Sequence, residues 1–244
     1  MNIPKIKFQL MPLEMNIENI KWQFYDKEFN HYVKKNFQEL EALDISMPKE
    51  DGYKIIEQVV RKVYEKEKNK LIEYVNDYNK LWEKYNDKYF FKLSEYFETD
   101  FPDNLKEIKA YVGFICVYPR YLDDFSFALC PELNDLELKR ITAHETLHFI
   151  WFIKWKKLHP ETPRDNYEAP HIEWEYSEMV TDPILNNKPF NEILNIKEKG
   201  YDRFYKLLDG DELVMDRLRN IYASNKSIED KIDEGYDYIK SYNR

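Results

Sequence analysis

The sequence predicts a predominantly helical α+β chain, with a small antiparallel or mixed β-sheet packed on the helix that begins near Asn134 and an added long-helix region on its N-terminal side. Three observations carry that expectation. Residues 53–101 contain neither glycine nor proline and repeat apolar side chains every three or four positions. Two short runs rich in β-branched and aromatic residues, 111–118 and 125–130, are each closed by a proline. From Asn134 onward helical spacing returns and continues in pieces to the end. The 244 residues suffice for one large domain or two small ones, with the division expected between a mainly helical region, 1–105, and a second region, 106–244.

Taken in order, residues 5–10 alternate polar side chains with Ile6, Phe8 and Leu10 between Pro4 and Pro12, a short strand that can join the sheet. Within 53–101 the stripe Leu71, Val75, Tyr78, Trp82, Tyr85, Tyr89, Leu93 and Tyr96 lies on one helical face. It reads as one long amphipathic helix, or as two broken near the polar run 65–70, with the aromatic stripe as a packing surface. The two strand-like runs follow, joined by a loop over 119–124. Asn134 then offers an N-cap with Glu137 three residues on, so a helix is expected from there to about Lys157. After the proline-rich stretch 159–170, a helix over 171–181 is stopped by Pro183. Shorter helices are expected at 191–199, 202–208 and 211–223, and from Ser227 on, where Ser227 and Asp230 suggest a cap.

Composition excludes several classes of partner. The chain has 37 basic and 46 acidic side chains, a formal charge of −9, which argues against nucleic acid or an anionic membrane surface. The short basic cluster Lys154, Lys156 and Lys157 reads as a solvated helix face. Cys116 and Cys130 sit in apolar neighbourhoods without CxxC spacing, as expected of small buried hydrophobes in a reducing compartment. No leader-like or membrane-spanning apolar run is present, and the expected location is cytoplasmic. With 5 glycines the chain discourages a glycine-rich phosphate loop.

Two of the 5 histidines fall in one pentapeptide, His144-Glu145-Thr146-Leu147-His148, on a predicted helix. Four-residue spacing projects both imidazoles from one face about a turn apart, which lets them share a single Zn²⁺. Glu145 lies between them, off the ligand face, where a carboxylate can take a proton from a zinc-held water. A catalytic zinc also needs a third protein ligand and an open fourth position. Downstream, Glu178 and Asp182 are four apart on the predicted helix and share a face, with Glu175 a competing carboxylate. His171 lies seven before Glu178 and is a candidate oxyanion donor beside Tyr167, Tyr201 and Tyr205. His31 and His159 stand outside any motif.

HExxH followed by a helix carrying Glu-x-x-x-Asp resembles the gluzincin metallopeptidases, the thermolysin-like group, over residues 110–183. The resemblance implies a zinc-dependent peptidase acting on a peptide or protein substrate. It implies His144, His148 and Glu178 as ligands of one Zn²⁺, Glu145 as general base, and Asp182 as the carboxylate that orients His144. It also implies that residues 125–130 form a sheet-edge strand for extended substrate. The 30 positions from His148 to Glu178 exceed the thermolysin spacing, and residues 149–154 lack the glycine and histidine of the metzincin extension. Alternatives of other kinds are a zincin-fold binding or scaffold protein without catalysis, and a regulatory peptidase with a single protein substrate.

Overall fold

The computed structural model describes residues 1–115 and 117–242, so Cys116 lies outside the described residues. The chain is predominantly helical α+β and forms two compact units that interleave along the sequence. One contains Lys5–Lys84 and Glu107–Leu138; the other contains Met1–Pro4, Tyr85–Lys106 and the chain from Lys139 on.

The first unit holds a four-stranded mixed sheet made of β1 (Lys5–Leu10), β2 (Glu107–Val112), β3 (Arg120–Tyr121) and β4 (Ser126–Leu129), in the order β1-β2-β4-β3. β1 pairs with β2 and β2 with β4 in parallel, while β3 runs antiparallel to β4. Alternation in β1 buries Ile6 and Phe8 as the sequence predicts. Around the sheet lie α1 (Leu13–Tyr25), α2 (Asn30–Asn36) and α3 (Lys49–Trp82). Ile17, Ile20 and Phe24 of α1 meet Ile56 and Val60 of α3 in an apolar core. The Asn79 side chain clamps β1 to α3, accepting from the Phe8 N–H at 3.1 Å and donating to its carbonyl at 2.9 Å.

Three expectations change here. The helix does not break near 65–70: α3 runs through it, and the interruption comes at residues 83–85, before α4 (Asn86–Phe97). Neither glycine nor proline marks that break. It coincides with the point where the chain passes from one unit to the other. The second strand starts four residues earlier than expected and stops at Val112. Beyond it Gly113 passes so close to Asn16 that a Cβ there would lie 2.5 Å from Asn16 Oδ1. Finally, β4 is no edge strand. Arg120 and Tyr121 pair with Phe127 and Ser126, and the Ala128 N–H bonds the Pro119 carbonyl, so the expected loop covers that edge.

The helix expected from Asn134 is α5 (Asp135–Leu158), and its cap is the anticipated one. The Asn134 side chain accepts from the N–H groups of Leu136 and Glu137, and Glu137 reaches back to the Asn134 N–H, all at 3.0 Å. The second unit comprises α4, α5 from Lys139, α6 (Ile172–Met179), α7 (Thr181–Leu185), α8 (Lys188–Leu194), a hairpin of β5 (Leu208–Asp209) and β6 (Glu212–Leu213), α9 (Val214–Ala223) and α10 (Ile228–Tyr242). The hairpin and a short 3₁₀ turn replace the helix expected at 202–208. Ser227 caps α10 as expected, its Oγ accepting from the Asp230 N–H.

Aromatic packing locks α5 to α6. Trp151 and Trp155 stack at 4.9 Å, and Trp151 meets Tyr176 edge-on at 5.6 Å. Tyr176 is fully buried with its hydroxyl 2.8 Å from that of Tyr222 on α9. Lys154 does not lie on a solvated face: it is buried and pairs with Glu229 at 2.7 Å.

Candidate metal centre

α5 and α6 bring His144, His148 and Glu178 together, and their ligating atoms all lie within 4.8 Å of one another. One helical turn separates the histidines, whose Nε2 atoms are 3.2 Å apart. Glu178 Oε2 lies 3.2 Å from His144 Nε2, and Oε1 lies 3.4 Å from His148 Nε2. Tetrahedral coordination with bonds of about 2.0–2.1 Å separates neighbouring ligand atoms by about 3.3 Å. These residues therefore fit one small divalent ion. The His148 side chain is fully buried and Glu178 nearly so, whereas that of His144 is 14% exposed, so solvent reaches the group along His144.

Burial disfavours charge on both partners, yet their mutual attraction wins. Glu198 and Glu178 hold the His144 imidazole well above its usual pKa despite desolvation. Desolvation likewise opposes ionisation of Glu178, but His148 and His144 keep its carboxyl well below the ordinary range.

The carboxylate behind His144 is Glu198, not Asp182. Glu198 Oε1 stands 3.0 Å from His144 Nδ1, with its side chain fully buried. Pro183 explains the displacement of Asp182. Lacking an N–H, it ends the expected helix at Met179 and falls in the first turn of α7, so Glu178 and Asp182 belong to different helices. Asp182 instead accepts from Tyr205 Oη at 2.7 Å and from Arg219 at 2.8 and 3.1 Å. Tyr205 in turn accepts the Gly200 N–H at 2.9 Å, which ties Asp182 to the segment carrying Glu198. Asn186 fixes that segment from the other side, exchanging two 2.9 Å hydrogen bonds with the Glu198 backbone. Glu198 was hidden in the sequence because Lys197-Glu198-Lys199 looks like any solvated charge run.

Glu145 is buried on α5 beside His144. Glu175 points to Arg203, 3.2 Å away, and is not part of the metal-ligating group. His171 is exposed at the start of α6, two turns from Glu178, and Tyr201 is exposed. Tyr167 is buried and stacks on Phe152 at 4.5 Å, which stacks on His148 at 6.4 Å.

Comparisons with protein-family models, curated proteins and solved structures give no match to this chain. Among the described residues no helix is long and apolar enough to cross a membrane.

The two carboxylates have separable consequences. Glu198→Ala removes the partner of His144 and should weaken metal binding by about 10- to 100-fold. Arg219→Ala strips a charged partner from the buried Asp182 and should cost about 2 kcal/mol, discounted because Arg219 is 42% exposed, with little change in metal affinity. Thermal unfolding beside a metal titration of each variant checks both. Equal loss of metal affinity in the two would assign the orienting role to the Asp182 network.

Proposed function

We propose that this chain is a zinc-dependent hydrolase of peptide bonds. His144, His148 and Glu178 would hold one Zn²⁺, and Glu145 would serve as general base. The observation that carries the reading is the convergence of two imidazoles and one carboxylate, from two helices, at the mutual distances a tetrahedral ion requires. The resemblance of HExxH and the downstream glutamate to gluzincin peptidases supports it. A donor set of two histidines and one carboxylate suits zinc, which when bound lowers the pKa of water to about 7 and polarises a carbonyl.

The chain's own residues supply the rest. Glu198 fixes the tautomer and orientation of His144 by taking its Nδ1 proton in a hydrogen bond. Glu145, beside His144 and shielded from bulk water, accepts the proton of the attacking water and delivers one to the departing amine. The partly exposed His144 marks the side from which a substrate would approach. The peptide or protein substrate, and the cytoplasmic setting that the composition suggests, belong to this same reading.

A pH dependence follows. Glu198 and Glu178 hold the pKa of His144 above its usual value despite desolvation, so the metal-free imidazole keeps its proton more tightly than a free one and gives it up on binding zinc. Affinity should therefore climb with pH through neutrality. Calorimetry in two buffers of different ionisation enthalpy should find net proton release on zinc binding, diminishing as pH rises. In the metal-free fold the same shift is stabilising below pH 6.5, and the stabilisation is lost as pH rises through the raised value.

A further inference from the structure

A cavity of about 480 Å³ opens between the C-terminal end of α5, the start of α6 and the face of α10. We propose that it binds an organic cation, an alkyl chain ending in an ammonium or guanidinium group, independently of any ion at His144, His148 and Glu178.

The walls are aromatic. Trp155 and Tyr236 meet edge-to-face at 4.7 Å, and His159 packs on Trp155 at 4.2 Å. Trp155 is itself buried, flanked by Trp151 and His159, and backs the partly exposed Tyr236 ring, whose face can accept a hydrocarbon stem and the positive charge at its end. Deeper in lies Glu173, only 7% exposed. Its Oε1 accepts from Tyr236 Oη at 2.7 Å, while its buried Oε2 has no hydrogen-bond partner. A buried carboxylate oxygen left unmatched is costly, and a donor cation is the group that satisfies it.

Charge points the same way. Among the described residues lining the cavity, Glu161, Glu173, Asp233 and Asp237 are carboxylates, and Lys240 is the one ammonium. Asp233 is engaged by His159 at 3.0 Å. Lys240 Nζ sits 4.8 Å from the Tyr236 ring centroid and 3.7 Å from Asp237 on a half-exposed side chain, so it occupies the rim as a competitor that an incoming cation displaces. An anion would meet four carboxylates, and an uncharged apolar ligand would leave Glu173 Oε2 unmatched.

Calorimetry on the full chain with three probes tests this: 1,5-diaminopentane, the peptide acetyl-Gly-Lys-Gly-amide, and its uncharged norleucine counterpart. Both cations, or one of them, should bind, with the norleucine peptide weaker by about 10-fold or more. Binding of the diamine alone identifies a free amine as the ligand, and binding of the peptide identifies a basic side chain. Glu173→Gln should weaken the cation by about 10- to 100-fold. Lys240→Gln, a rim change, should tighten it, and decides the matter if the Glu173 variant does not fold. The proposal is overturned if neither cation binds at about 10 mM, if norleucine binds equally well, or if a folded Glu173→Gln or the Lys240→Gln protein binds as the parent does.

Discussion

Replacing Glu145 with Gln should leave zinc at one ion per chain and lower peptide hydrolysis by about 10²- to 10⁴-fold, the share a positioned general base contributes. The substitution keeps the size and hydrogen-bonding reach of the side chain while removing its capacity to take a proton. Glu145 is not among the three clustered ligands, so metal content should hold. The assay is turnover of a peptide library by folded, zinc-loaded protein, with zinc measured on the same samples. Unchanged turnover in the variant would remove Glu145 from the mechanism. A parent that holds zinc yet cleaves nothing in the library would favour a regulatory peptidase with one substrate or a binding protein.

The second large effect is on the metal. Glu178→Ala removes the carboxylate that faces both Nε2 atoms, at 3.2 and 3.4 Å, and leaves two protein ligands where a catalytic zinc site needs three. Zinc affinity should fall further than the 10- to 100-fold expected from losing an orienting partner such as Glu198, and activity should vanish with it. Competition against a chromophoric chelator measures this. Stoichiometric, tightly held zinc in the variant would move the third ligand elsewhere, and Glu175, drawn towards Arg203, would have to leave that pair to serve.

Much of the fold was legible. The alternation of 5–10, the Asn134–Glu137 cap and the Ser227 cap each reflect local chemistry and formed as expected. So did the predominance of helix with a small mixed sheet. What local chemistry did not encode was missed. The break at 83–85 carries no breaker residue, and the pairing of β3 with β4 depends on the partner strand. Pro183 does end the helix that carries Glu178, but the chain resumes at once as α7, and that break gives Asp182 to Tyr205 and Arg219 instead of His144.

The candidate site divides along the same line. His144, Glu145 and His148 share one helix, so spacing alone fixes their geometry, and Glu178 is legible from the aspartate four residues on, the pattern the gluzincin resemblance singles out. Glu198 is 54 positions from His144 and arrives through an irregular segment held by Asn186 and Tyr205, contacts no periodicity announces.

The most direct test is zinc stoichiometry and affinity of the purified full chain beside His148→Ala. One ion per parent chain, lost from the variant while its helical content persists, is the predicted result. A parent that binds no zinc above background, or a variant that binds it as tightly as the parent, would contradict a metal centre at His144, His148 and Glu178.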